Sequence, residues 1–229
     1  MKEEAAMKTK RDRMVAIFRL YYSKDLTYAR CQSQNSLRFF VMNAFLTYLK
    51  TKDCYLSPEA WEALTRVTKR ITLPRRTLLH RGGDVCPYFY FIEEGLSRVF
   101  YYKDGTETTA WFGFPGQIVS AIDSFFTGRP SAYWIELLEP ATLCALHRDD
   151  IEALFRRFPE VERLGRLLVI ENYLLLDERM KLFVFHTAEE RYELLLKQFP
   201  EATRRIPLGM IASYIGVSQE TLSRIRKKK

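Results

Sequence analysis

Residues 159–187, PEVERLGRLLVIENYLLLDERMKLFVFHT, constrain the fold more than any other stretch of this chain. They open on a proline, which suits a first helical turn, and contain no second one. Read as one helix, they span roughly 40 Å at about 1.5 Å per residue. Val161, Leu164, Leu167, Leu168, Ile170, Leu174, Leu175, Leu182 and Phe183 are too many apolar positions for a single stripe. A helix apolar over so wide an arc has to be covered on more than one side. One cover is expected to be the domain that precedes it. The other is either the same helix of a second copy or a wholly intramolecular core, and Gly165 and the Asp177-Glu178-Arg179 patch fit both.

What precedes the helix reads as β structure. From about residue 71 to 146, the runs PYFYFIEEG, LSRVFYYKDG, TETTAWFGF, SAYWIELLEP and ATLCAL are broken by turn signals every 8–12 residues or so. That rhythm predicts a barrel or sandwich. Lys103-Asp104-Gly105 predicts a hairpin turn, because Asp-Gly tolerates the positive φ values such turns need. Upstream, Ser57 and Pro58 predict a helix start, with Glu59 and Glu62 near its positive end and Trp61, Leu64 and Val67 on one face. HRDDIEALFRRFP, residues 147–159, predicts a short helix ended by Pro159.

The 229 residues suit one large domain or two modest ones, and 47% hydrophobic with 28% charged is a globular composition. A net charge of +8 allows a polyanionic partner, but its placement matters more than its sum. Cys31, Cys54, Cys86 and Cys144 show neither zinc-knuckle nor C-x-x-C spacing, so reduced thiols in a cytoplasmic protein are expected. No apolar run reaches the ~18 residues of a membrane span, and the basic N-terminus lacks signal-peptide form.

Residues 188–229 hold three shorter helical patterns. In AEERYELLLKQFP, Tyr192, Leu195, Leu196 and Phe199 share a face. In IPLGMIASYIG, Pro207 marks a start, Leu208, Ile211, Ala212 and Ile215 follow one buried face, and Gly216 supplies the reversal. Ser218 is then an N-cap, and Val217 can staple onto Leu222. Only Leu222 and Ile225 point inward in the last helix. Two helices joined by a tight glycine turn, the second polar on its outer face, form a helix-turn-helix.

The outer residues suit reading of the DNA major groove. Arg224 can bind guanine in bidentate fashion, Glu220 can accept from cytosine, and Gln219 suits adenine, with Ser223 on the same side. Ser218 and Thr221 are expected to donate to phosphates near the helix start. Lys227, with Arg226, Lys228, Lys229, Arg204 and Arg205, is expected to supply phosphate contacts that release counterions.

With these segments in order, the sequence resembles the Crp/Fnr family of bacterial transcription regulators over about residues 50–229. FYFIEEGLSRVFYYKDGTETTAWF resembles the family's first β-roll strands, and GQIVSAIDSFFTGRPSAYWIELLEPATL its effector-binding segment. The resemblance implies an α+β chain: an N-terminal antiparallel β-roll (jelly-roll-like) sensor domain, a long dimerisation helix and a C-terminal helix-turn-helix. The segments are then an extension of unknown role (1–41), the cyclic-nucleotide-binding-like roll (42–158), the dimerisation helix (159–187) and the DNA-binding domain (188–229). It also implies a homodimer through residues 159–187 on double-stranded DNA, and RNA polymerase as a further partner if the regulator activates. The stretch before Met42 has no counterpart in the family; it is either a private extension or translation begins near Met42.

Two departures bear on the effector. The family's cyclic-AMP binders carry a glutamate for the ribose and an arginine before serine or threonine for the cyclic phosphate. Here those positions hold Ala121, after Ser120, and Pro130, before Ser131, with Arg129 displaced by one. Hydrogen bonds to charged groups are worth ~1.5–3 kcal/mol each, so cyclic AMP is not the expected ligand. Ser120, Arg129 and Ser131 are the candidate contacts for an unidentified small-molecule effector, or are ordinary turn residues. No cofactor is expected: Cys31 stands alone in the N-terminal stretch, and His80, His147 and His186 are isolated. Gln219 stands where the family often has arginine, and the wing hairpin many relatives carry after the recognition helix is not expected here.

A second reading is a small-molecule-binding module whose helical tail has no DNA role. An enzyme is not indicated, since neither a Ser/His/Asp or Cys/His arrangement, a Walker loop, nor an HExxH pair is present.

Overall fold

The computed structural model describes residues 44–227. The expectations for residues 1–41, for a start near Met42, and for Cys31, Lys228 and Lys229 lie outside the described residues.

Two short helices lead in. Helix α1 (Ala44–Lys50) buries Phe45, Leu46 and Leu49. Helix α2 (Pro58–Val67) starts as its sequence predicts: Ser57 Oγ accepts from the Ala60 N–H at 3.2 Å, and Pro58 fills the first helical position.

Eight strands then build the roll: β1 (Lys69–Leu73), β2 (Leu78–His80), β3 (Tyr88–Glu94), β4 (Ser97–Lys103), β5 (Thr106–Gly113), β6 (Ile118–Val119), β7 (Trp134–Leu137) and β8 (Ala141–His147). They form two four-stranded sheets, ordered β1-β8-β3-β6 and β2-β7-β4-β5, with every pairing antiparallel. The β4–β5 hairpin turns on Asp104 and Gly105, both at positive φ (50° and 76°), as Asp-Gly predicts. Ile92, Val99, Val119, Ile135, Leu137 and Leu143 fill the roll's interior. Helix α3 (Ile122–Thr127) interrupts the strands inside the segment expected to bind an effector. Its N-cap is Ala121, which offers no side-chain bond, so no capping signal announces it.

Helix α4 (Arg148–Arg157) is capped by His147, whose Nδ1 accepts from the Asp149 N–H at 3.2 Å. Helix α5 (Pro159–Phe185) follows and ends two residues before the expected boundary. The cause is local. Thr187 serves as N-cap of helix α6 (Ala188–Gln198), in a capping box with Glu190. Gly165 lets α4 and α5 close up, because a Cβ there would meet the Phe155 ring at 2.5 Å.

The expected two-sided cover of α5 is incomplete in one chain. Only Val161 and Leu164, near its start, are buried. Val169, Tyr173, Leu176, Met180 and Phe183 remain exposed and recur at alternating spacings of four and three, the seam of a coiled coil. No helix among the described residues is long and apolar enough to cross a membrane.

The C-terminal region contains helices α6, α7 (Ala202–Arg205), α8 (Leu208–Ile215) and α9 (Gln219–Lys227). That is one more than the three patterns expected, because a short turn of helix separates α6 from α8. Tyr192, Leu195, Ile206, Ile211, Ile215, Leu222 and Ile225 share a core with Leu96, Phe112, Phe114 and Leu138 of the roll. Phe114 and Phe199 stack across this seam with centroids 3.5 Å apart.

Candidate nucleic-acid interface

The elbow between α8 and α9 is built from the signals read in the sequence. Ile211, Ala212 and Ile215 are buried. Gly216 ends α8 in the left-handed region (φ 76°, ψ 39°), where its N–H bonds back to Ser213 and the Val217 N–H to Ala212. Ser218 then caps α9, its Oγ accepting from the Thr221 N–H at 3.2 Å. Leu222 and Ile225 are buried and seat the helix. Burying only these two fixes which face of α9 remains outside.

That outer face carries Gln219, Glu220, Arg224, Arg226 and Lys227, all exposed, with Thr221 and Ser223 half-buried at its edges. Arg224 is held in place: its Nη2 donates to Thr221 Oγ1 at 3.3 Å, and that hydroxyl lies 3.2 Å from Ser218 Oγ. Glu220 is kept below the ordinary carboxylate range by the Ser218 side chain first, then by its own backbone N–H and Arg224. It therefore presents an acceptor at neutral pH. Gln219 reaches toward Gly209, its Oε1 lying 3.0 Å from where a Cβ would stand. Seven sequence-predicted residues (Ser218, Gln219, Glu220, Thr221, Ser223, Arg224 and Lys227) thus lie on or beside one short helix.

The entry arginines differ from expectation. Arg205 donates from Nε and Nη2 to the Glu139 carboxylate and from Nη2 to Gly95 O at 3.0 Å. Arg204 pairs with Glu201. Neither presents an unpaired cation to a phosphate, and sequence spacing could not reveal an acceptor 66 residues away.

Each candidate effector contact is held by a different partner. Ser120 Oγ donates to Tyr88 O at 2.9 Å. Ser131 is buried, and its hydroxyl donates to both Asp123 carboxylate oxygens at 2.9 Å. Arg129 is exposed just past α3, its backbone N–H bonded to Thr127 Oγ1. Asp123 is the residue that sequence reasoning missed here. Cys86 and Cys144 are buried thiols, and Cys144 is pushed up to about 12, by burial first and then by the Glu93 carboxylate.

The described residues thus form a β-roll, a long helix with an exposed apolar seam and a helix-turn-helix, in that order. Residues 70–158 match the cyclic nucleotide-binding domain family. The chain is 29% identical over 175 residues to the cyclic AMP receptor protein of Thermus thermophilus, covering 74% of this chain and 81% of that protein. Among solved structures, FixK2 from Bradyrhizobium japonicum superposes with a TM-score of 0.60 at 18% identity, over 71% of this chain and 84% of its own. The c-di-GMP responsive global regulator CLP of Xanthomonas campestris gives 0.57 at 17% identity, over 75% and 91%. The chain is thus similar in sequence to a cyclic AMP receptor protein and shares its fold with these solved regulators.

Proposed function

We propose that this chain is a sequence-specific DNA-binding transcription regulator that acts as a homodimer. The observation that carries the reading is the outer face of α9. A helix seated by Leu222 and Ile225 offers the Glu220 carboxylate and the Arg224 guanidinium outward, with Arg226 and Lys227 beside them. The seam on α5 supports pairing of two chains, because Val169, Tyr173, Leu176 and Met180, and one side of Phe183, remain exposed in one chain. A two-fold pair places two copies of α9 about one DNA turn, roughly 34 Å, apart. The DNA partner implies action in the cytoplasm, and RNA polymerase is the further partner of such a regulator if it activates.

The effector we propose is not cyclic AMP, although one relative is named a receptor for it. Ala121 and Pro130 stand where a carboxylate and a guanidinium would be needed, and the Ser131 hydroxyl is taken by Asp123. An anionic phosphate brought to that carboxylate would be repelled.

Selection from a random DNA pool, followed by gel shifts across a salt series, tests the reading. A pseudo-palindromic consensus whose affinity falls steeply with salt is expected. Binding indifferent to both sequence and salt overturns it.

A further inference from the structure

The elbow of the helix-turn-helix is held residue by residue from outside. Ser213 Oγ accepts the Thr109 N–H of edge strand β5 at 2.8 Å. Tyr214 gives its carbonyl to Arg179 Nη2 of α5. Ile215 gives its carbonyl to Arg191 Nε of α6 at 2.9 Å, while Arg191 Nη1 ties back to His186 O at 2.7 Å. Gly216 lies against the Phe183 ring, which a Cβ there would meet at 2.9 Å.

Arg179 is the centre of this grip. Its guanidinium carbon sits 3.5 Å from the Tyr214 ring centroid and 4.6 Å from that of Phe183. The Phe112 ring of β5 packs on Tyr214 at 5.0 Å. Burial pushes the Arg179 pKa down, with Arg191 acting in the same direction, and no carboxylate among the described residues forms an ion pair with Arg179. What compensates the charge is the carbonyl end of α8 and two ring faces: Tyr214 belongs to the elbow, and Phe183 lies one turn on along α5 itself. Phe183, the ring beside it, belongs to the exposed seam of α5.

We propose that Arg179 is a positioning residue for DNA recognition: it locks the elbow to the long helix, and so fixes the half-site spacing that a dimer accepts. The proposal rests on the dimeric DNA-binding reading. Because α9 is anchored by two side chains on its own domain, the separation of two copies depends on how each elbow is tied to its α5. Without this tie, the helix-turn-helix still folds and stays on its own roll through Arg205–Glu139 and the Phe114–Phe199 stack, but its elbow is less firmly set against α5 and the distance to its twin is less narrowly fixed.

The test uses the full chain, its selected two-fold site, the same site with its half-sites one base pair closer or farther apart, and a single half-site. Arg179→Gln removes the charge and the stack; Arg179→Lys keeps the charge and loses the planar contact. The wild type is expected to prefer the selected spacing. Arg179→Gln should lose about tenfold on that site, the scale of one charge-assisted hydrogen bond, and much less on the respaced sites and the single half-site. The preference for spacing then shrinks, with dimerisation and melting temperature retained. Arg179→Lys should fall between, and it carries the comparison if the glutamine variant does not dimerise. An equal loss on every DNA, or an unchanged spacing preference, overturns the proposal. A wild type that binds no two-fold site instead overturns the DNA-binding reading beneath it.

Discussion

The Arg205 guanidinium grips the Glu139 carboxylate side-on, Nε to Oε1 at 2.8 Å and Nη2 to Oε2 at 2.5 Å, across the seam between the helix-turn-helix region and the roll. The pair is less than a third exposed at either side chain, 29% and 28%, so it acts as a tie between the two parts of the chain. Arg205→Ala is expected to destabilise the fold by on the order of 1 kcal/mol and leave the salt dependence of DNA binding unchanged. A phosphate contact would instead lower the salt slope by about one. Urea unfolding and a salt titration of binding measure the two effects separately.

The same tie predicts a pH dependence. Glu139 is held below the ordinary carboxylate range, chiefly by the Arg205 hydrogen bonds. A depressed folded value means the contribution is complete above the unfolded carboxylate value of about 4.3 and is lost as pH falls through the folded one. Glu139→Gln should therefore be less stable than the wild type at neutral pH and converge with it in acid. Unfolding midpoints measured from neutral to acid pH check this.

The buried anchors of α9 are a separate matter from its reading face. Leu222 is fully buried, and Leu222→Ala should cost about 2–5 kcal/mol of unfolding free energy by leaving a cavity. The melting temperature should fall along with DNA affinity. Arg224→Ala, by contrast, should leave the melting temperature unchanged and weaken binding by about 1–3 kcal/mol at each half-site of the selected DNA.

The seam of α5 predicts an assembly state. Tyr173 and Leu176 are 68% and 53% exposed in one chain, so Leu176→Glu is expected to shift the protein from dimer to monomer. Sedimentation velocity reads the change directly, and circular dichroism should show the roll still folded.

Features set by neighbours a few residues apart were legible from sequence. The Ser57-Pro58 start, the Asp104-Gly105 turn, and the run Gly216, Ser218, Leu222, Ile225 each follow from a short stretch of chain. The end of α5 was equally local: Thr187 and Glu190 spell a capping box that marks the next helix, a signal present but unused. The seam itself was only half legible. Tyr173, Leu176 and Met180 do not stand out in a helix apolar on most sides until packing shows which of its residues one chain leaves bare. Partners far apart in sequence were not legible. Arg205 to Glu139, Arg179 to Tyr214 and Thr109 to Ser213 are separated by 66, 35 and 104 residues, and nothing in their local pattern joins them. Helix α3 lacked a cap to announce it, and Asp123 became visible as the partner of Ser131 only when that helix was in place.

Hydroxyl-radical footprinting on the selected DNA site tests the central claim most directly. The full chain should protect two patches related by a two-fold axis, one helical turn apart, and both should vanish together in Arg224→Ala while the protein stays folded and dimeric. A single unpatterned stretch of protection, or two patches that persist in Arg224→Ala, contradicts the account.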